Sequence, residues 1–182
     1  NLKESKMKRS FFSISSVGLL AAGLFFAAPS AMMAQSAEIV STYTRIYRNN
    51  NVEVDLSKLA MKNSDNADVK KFAKQVIKDN HVMAGQIFSD SLTYGFTLTA
   101  DTPSSAMDAE KQMKQLKGVD LDKMYLVQMD AFVKDDKIVA AQASALTKQS
   151  DLGQIGDQLQ ALVDSRTKDI SQITQAEGFK IQ

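Results

Sequence analysis

The sequence predicts an all-α protein, a four-helix bundle with one additional short helix. Residues 68–94 repeat apolar side chains at steps of three and four, which is the spacing of one buried helix face. Only two prolines occur, so few positions in the chain break a helix. The length of 182 residues is sufficient for one domain with a hydrophobic core.

The first two helices are predicted from this spacing and from their end signals. Residues 38–63 form the first, with a bend or a short interruption near Asn50, because asparagine competes for backbone hydrogen bonds. Asp65 or Asn66 caps the central helix by accepting from free backbone N–H groups. Gly95 ends the central helix in a left-handed conformation.

Three more helices are expected, over residues 105–116, 121–148 and 151–177. Ser105 and Asp108 fit a capping box at the start of the short one. Asp120 and Ser150 can cap the two long ones, and Gly178 follows the last. Four long apolar stripes joined mostly by short turns cannot be buried separately, so they predict a bundle.

Residues 1–37 have the layout of a secretory signal peptide. A positive stretch, MKR, precedes an apolar stretch over residues 11–28, and small residues follow. The residues before Met7 are expected to lie upstream of the true start, and cleavage is expected between residues 31 and 38. The helical domain is then 38–182. We expect export to the periplasm or outer envelope, with membrane association only if the apolar segment is retained.

Composition excludes several classes of site and partner. Cysteine is absent, which excludes disulfides, thiolate metal sites and a cysteine nucleophile. The first 34 residues carry a net charge of +3, so the remainder of this +1 chain carries −2. A near-neutral domain without a basic patch argues against a nucleic-acid partner. The partners left open are an envelope protein or a small ligand.

Catalytic chemistry has few candidate residues in this chain. A carboxylate-bridged di-iron site needs Glu-x-x-His motifs, but the chain has none and contains one histidine, His81. A serine hydrolase of the Gly-x-Ser-x-Gly type and a phosphate-binding loop also lack their motifs. We therefore expect no catalytic residue and no cofactor.

Polar residues on apolar stripes mark two candidate sites. Asn80 lies at the centre of the stripe of the central helix, and His81 is expected at its margin, so this turn predicts a polar network or a site. Glu53, Asp79 and His81 are the weak candidates for metal ligands. A second network, of Asp135, Asp136 and Arg166, is expected between the last two helices. It would be a ligand site or a structural clamp.

Four segments carry a resemblance to a known family: Glu53-Val-Asp-Leu-Ser-Lys-Leu-Ala60, Asn66-Ala-Asp-Val-Lys-Lys-Phe-Ala73, Val76-Ile-Lys-Asp79 and Asp122-Lys-Met-Tyr125. Over residues 39–176 the chain resembles the exported bacterial family called domain of unknown function 4142. Its members are described as ferritin-like helical bundles and often as predicted outer membrane proteins. The resemblance therefore implies a ferritin-like bundle in the cell envelope.

The resemblance also implies three histidine positions, which this chain fills differently. The family aspartate matches Asp79, but the positions of the histidines fall on Asn80, Val133 and near Ser165. The function expected is that of a non-catalytic exported bundle that binds a partner or a small ligand. The alternative is a metal-binding ferritin-like protein with a reduced site around Asp79 and His81.

Overall fold

The computed structural model describes residues 29–99, 101–146 and 151–180. Within these ranges the chain forms five helices and no strand: α1 (Pro29–Asn63), α2 (Ala67–Tyr94), α3 (Ser104–Met113), α4 (Gly118–Leu146) and α5 (Asp151–Ala176). The prediction of an all-α fold with four long helices and one short helix is confirmed. None of the described helices combines the length and apolar character that crossing a membrane requires. The apolar stretch of the expected signal peptide lies outside the described residues.

No interruption occurs near Asn50, and α1 is one continuous helix of 35 residues. It is already helical at Pro29, ahead of the predicted start at residue 38. The expectation fails because the neighbouring Asn49 turns inward, where its Nδ2 donates to Asp135 and Asp136 of α4, each at 2.9 Å. A side chain bonded to another helix does not compete for its own backbone.

The ends of α2 are the ones that the sequence predicts. Asn66 accepts from the backbone N–H groups of Asp68 and Val69 at 2.8 and 3.1 Å. Gly95 follows the helix with φ of 71°, a left-handed conformation that glycine adopts without steric cost. The side chain of Asn66 also donates to Glu177 beyond α5, which ties the start of α2 to the end of the chain.

The capping box predicted for α3 is wrong. The residue before the helix is Pro103, and no side chain caps it. Proline with φ of −59° starts the helix at Ser104, so Ser105 is already inside the first turn and cannot be the cap. α4 likewise begins at Gly118 instead of residue 121. The predicted cap of α5, Ser150, lies outside the described residues.

The core consists of two apolar clusters at different heights in the bundle. The first core cluster is centred on the following residues: Val52, Leu56, Phe72, Val76, Leu121, Tyr125, Met129, Val133, Val163 and Ile170. The second core cluster contains Tyr43, Ile46, Met83, Ile87, Val139, Ala140, Ala143, Leu152, Ile155 and Leu159. The order of these residues shows that α1 and α5 run one way, while α2 and α4 run the other.

This topology explains the long connection that carries α3. Because α2 and α4 are parallel, residues 95–117 must return along the bundle before α4 begins. Four-helix bundles with one such crossover include the ferritin-like ones. The likeness to ferritin itself stays a prediction.

Gly156 brings α4 and α5 close together. A Cβ at this position would lie 2.8 Å from the backbone N of Ser144 and 2.9 Å from the carbonyl oxygen of Ala140. Both distances are shorter than van der Waals contact, so only glycine fits. The Gly153–Gly156 segment, which matches no phosphate-binding motif, therefore has a packing role at Gly156.

Candidate functional site

A layer of buried polar side chains separates the two core clusters. Glu53 of α1, Asn80 of α2, Asp136 of α4 and Arg166 of α5 each come from a different long helix, and each is at most 3% exposed. We refer to these four residues as the polar layer. The backbone of Arg166 lies within the first core cluster, about one turn from the polar layer. Its side chain points back towards the N-terminus of α5, as side chains in helices do, and so reaches the polar layer.

Arg166 holds the polar layer together. Its Nη1 donates to Oε2 of Glu53 at 2.7 Å, and its Nη2 donates to Oδ1 of Asn80 at 2.5 Å. Asn80 in turn donates from Nδ2 to the same Glu53 oxygen at 2.7 Å. These bonds close a three-membered ring of charge-assisted contacts across α1, α2 and α5.

Asp136, from α4, completes the polar layer. Burial raises its pKa well above the ordinary value, and the charge and hydrogen bond of Glu53 raise the pKa further. Glu53 Oε1, Asp136 Oδ2 and Arg166 Nε have no hydrogen-bond partner among the described residues. Protonation of Asp136 would let its carboxyl group donate to Glu53. In that protonation state the layer would hold one carboxylate and one guanidinium.

Asp135 lies at the edge of the bundle and is joined to the polar layer through Asn49, whose Nδ2 donates to both Asp135 and Asp136 at 2.9 Å. Asp135 also accepts from Arg45 in a bidentate contact. Burial alone would raise the pKa of Asp135, but the hydrogen bonds from Arg45 and Asn49 lower it below its ordinary value. The three residues of the predicted network are thus linked indirectly. Asp136 lies 3.7 Å from Arg166, whereas Asp135 pairs with α1.

His81 is not at the core margin, and that expectation is wrong. Its side chain is exposed, because a step of about 100° from the buried Asn80 leads to the solvent side of α2. Asp79 is half-buried and accepts from Gln75 of its own helix at 2.8 Å. Of the weak metal candidates, only Glu53 is inside the bundle. Among the described residues, no three His, Cys, Asp or Glu side chains are grouped as metal ligands would be.

The three histidine positions implied by the family resemblance do not meet in this chain. Asn80 and Val133 are buried, but Ser165 is exposed. It is Arg166, one residue later, that points into the bundle. Sequence reasoning missed Asn49, the ring joining Glu53, Asn80 and Arg166, and the burial of Asp136 beside Glu53. The polar residues on apolar stripes, Asn80 and Arg166, were the signal that could have found the ring.

A pocket of about 270 Å³ lies at the end of the bundle where α2 ends and α5 begins. We refer to it as the end pocket, and its lining residues are Ser36, Ile39, Val40, Tyr43, Tyr94, Phe96 and Leu152. Tyr43 and Leu152 are buried members of the second core cluster, so the floor of the pocket is part of the packed core. Tyr94 is 57% exposed and marks the opening to solvent.

Two tyrosine–aspartate pairs border the end pocket. The hydroxyl of Tyr43 donates to Asp90 at 3.0 Å, and the hydroxyl of Tyr94 donates to Asp151 at 2.5 Å. Burial raises the pKa of Asp90, the bond from Tyr43 opposes this shift, and the nearby charge of Asp151 raises the pKa again. The ring of Phe96 packs on Tyr43, with ring centroids 5.1 Å apart.

Another concavity, a groove of about 380 Å³, lies between α2 and α5. Asp68, Lys71, Gln75, Asp169 and Gln172 line it together with a few apolar side chains. Charges of both signs are mixed along it. The groove therefore has no concentration of charge of one sign that would select a ligand.

The sequence profile of the family named domain of unknown function DUF4142 matches residues 26–176. The chain belongs to the DUF4142 family. The match confirms the family predicted from the four segments and covers the whole bundle. No curated protein matches the chain.

A crystal structure shows the same fold in another family. It is a predicted secreted protein, DUF305, from Streptomyces coelicolor, with a TM-score of 0.70 and 13% sequence identity. The similarity covers 79% of the DUF4142 chain and 95% of the Streptomyces chain. At this identity the similarity establishes the helical fold alone.

The polar layer and the end pocket differ in what they can do chemically. The polar layer is buried, its arginine pairs with Glu53, and its residues bind one another. The end pocket of this DUF4142 domain is open, apolar on its walls and acidic at its edge. Ligand pockets in proteins have this combination of apolar lining and a few placed polar groups.

Proposed function

We propose that this protein is an exported, non-catalytic binding module that takes one small, largely apolar molecule into the end pocket. The observation that carries the proposal is the pocket itself, with aliphatic and aromatic walls and an opening beside Tyr94. An apolar cavity of about 150 Å³ can hold benzene. The end pocket, at about 270 Å³, has room for one ring with a substituent.

The state of the ionisable groups supports binding over catalysis. The carboxyl groups inside the bundle, those of Glu53 and Asp136, are at most 1% exposed and lie beneath packed apolar side chains. A substrate cannot reach them without opening the bundle. His81, the ordinary acid–base residue at neutral pH, is exposed on α2 and outside both concavities.

Export is part of the proposal for three reasons. Residues 1–37 have the charged, apolar and small-residue layout of a cleavable signal peptide. The structural neighbour is also described as a predicted secreted protein. The absence of cysteine suits an oxidising compartment such as the periplasm. We place the protein in the periplasm or the outer envelope.

Methyl NMR titration with indole, a neutral one-ring probe, tests the binding role. We expect saturable shifts of the methyl groups of Ile39, Val40 and Leu152, because these line the end pocket. The Val40→Phe variant adds a ring to the pocket wall and should abolish the shifts of the other two residues. Val82→Phe is the matched control, because it adds the same ring on the exposed face of α2.

Two results would contradict the proposal. One is the absence of any saturable shift at Ile39 and Leu152 in the wild-type protein. The other is an unchanged titration in the Val40→Phe variant, which would place the probe elsewhere. Far-UV circular dichroism of both variants shows whether each keeps the helical fold.

A further inference from the structure

The charged side chains described at the border of the end pocket are both negative. Asp90 accepts a hydrogen bond from the hydroxyl of Tyr43, and Asp151 accepts one from the hydroxyl of Tyr94. The negative charge of each aspartate raises the pKa of both tyrosines. Neither carboxylate has an ion-pair partner among the described residues. Among the described residues, the charge that shifts the pKa of Asp90 is that of Asp151, which is negative.

The aromatic walls of the end pocket also favour a positively charged group. Tyr43 and Phe96 meet at an angle of 36° between ring planes and form one corner of the pocket, and the ring of Tyr94 stands at the opening. The face of an aromatic ring carries partial negative charge and attracts a cation within about 6 Å of its centre. Hydrogen bonds from the tyrosine hydroxyls to carboxylates leave these rings electron-rich.

From these contacts we propose that the ligand of the end pocket is a small organic cation, a substituted ammonium with an apolar body. The apolar body replaces water against Ile39, Val40 and Leu152, and the ammonium group lies among the aromatic rings, near Asp90 and Asp151. This inference rests on the proposed function, since it names the chemical class of the molecule that the pocket takes. An anion of the same size is disfavoured by both carboxylates.

Two probes of equal shape test the charge preference. Benzyltrimethylammonium and 2,2-dimethylpropylbenzene differ only by nitrogen or carbon at one atom, so their binding compares charge at constant shape. By the same methyl NMR titration we expect the cation to bind about tenfold more tightly, the size of effect that partly desolvated cation–π and charge contacts produce. Phenylacetate, an anion of similar size, should bind more weakly than either.

Variants identify the source of the preference. The double variant Asp90→Asn with Asp151→Asn keeps acceptors for the two tyrosine hydroxyls and removes both charges. We expect it to bind the two isosteric probes within about twofold of each other. Asp164→Asn is the matched control, since it removes one charge from an exposed site of α5, about 20 Å along the helix from Asp151. It should keep the cation preference.

The outcomes separate this inference from the proposed function. If the neutral probe binds as tightly as the cation in the wild-type protein, the charge preference is wrong and the pocket still binds apolar molecules. A preference for the cation that survives in the double variant also overturns the inference. Failure of every probe, including indole, contradicts the proposed function itself. If the double variant unfolds, the comparison of the three probes in the wild-type protein decides alone.

Discussion

The polar layer and the end pocket both collect ionisable side chains from several helices, yet they differ in how these charges are balanced. In the polar layer, Glu53 is paired with Arg166 at 2.7 Å, and burial together with the charge of Glu53 raises the pKa of Asp136. At the end pocket, the charge of Asp151 raises the pKa of Asp90, and no described cation pairs with either residue. The first group is buried, and the second borders an opening.

The two regions illustrate two different roles that polar residues can have in a helical bundle. A buried set that contains a matched ion pair stabilises one packing arrangement, because an arrangement that separates the pair leaves an unpaired charge in the core. A set of carboxylates without a described cation, at the border of an apolar pocket that opens to solvent, has capacity left for a ligand. If this assignment is right, substitutions in the two regions should affect different measurements.

The largest effect is expected for Arg166→Met. The change leaves the carboxylate of Glu53 buried without its cation, which costs about 3–5 kcal/mol in the free energy of unfolding. Urea unfolding followed by circular dichroism measures this loss. Lys168→Met is the control, because Lys168 is exposed on the same helix and its loss should change the free energy by less than about 0.5 kcal/mol. A loss below about 1 kcal/mol for Arg166→Met would show that the polar layer is not a clamp.

The next effect concerns the pH dependence of stability and uses Asp136→Asn. The folded-state pKa of Asp136 is raised, so its contribution to stability is fully present below the unfolded pKa and is lost as pH rises through the folded pKa. Asparagine cannot ionise. The variant should therefore gain stability relative to the wild type as pH rises above about 4, by up to about 1.4 kcal/mol per pH unit.

Asp135→Asn provides a control with the opposite sign. The pKa of Asp135 is lowered, so its contribution is present above the unfolded pKa and is lost as pH falls through the folded pKa. This variant should be less stable than the wild type at neutral pH, and the difference should shrink on acidification. Urea unfolding between pH 3 and pH 8 compares the three proteins. Equal pH dependence of the two variants would contradict a raised pKa at Asp136.

The sequence predicts most of the fold because helix faces and ends are local signals. The spacing of apolar residues and the caps Asn66 and Gly95 define α2 without reference to the rest of the chain. Prediction from the sequence fails where a contact with a distant residue determines the local structure. Asn49 is an example, because asparagine usually weakens a helix but here bonds to two aspartates of α4. The start of α3 also fails, since Pro103 and Ser105 are both plausible initiators.

The candidate sites are harder to predict, because they depend on which way each side chain turns. Asn80 and Arg166 are recognisable as polar residues on apolar stripes, but their partner Glu53 lies 27 and 113 residues away along the chain. The end pocket is formed by chain segments from three regions of the sequence and contains no motif. Its tyrosine–aspartate pairs, such as Tyr43 with Asp90, are separated by 47 residues or more.

The smallest effect is expected for His81→Ala, which tests whether the polar layer ends at Asn80. His81 is exposed and has no described hydrogen-bond or ion-pair partner, so its removal should change the free energy of unfolding by less than about 0.5 kcal/mol. Asn80→Ala, one residue earlier, should cost several times more. It leaves Arg166 and Glu53 each short of a hydrogen bond in the core, at about 1–3 kcal/mol for each buried group. Urea unfolding of both variants under one condition makes the comparison. If the two losses are equal, or if His81→Ala is the more harmful, α2 turns a different face towards the bundle.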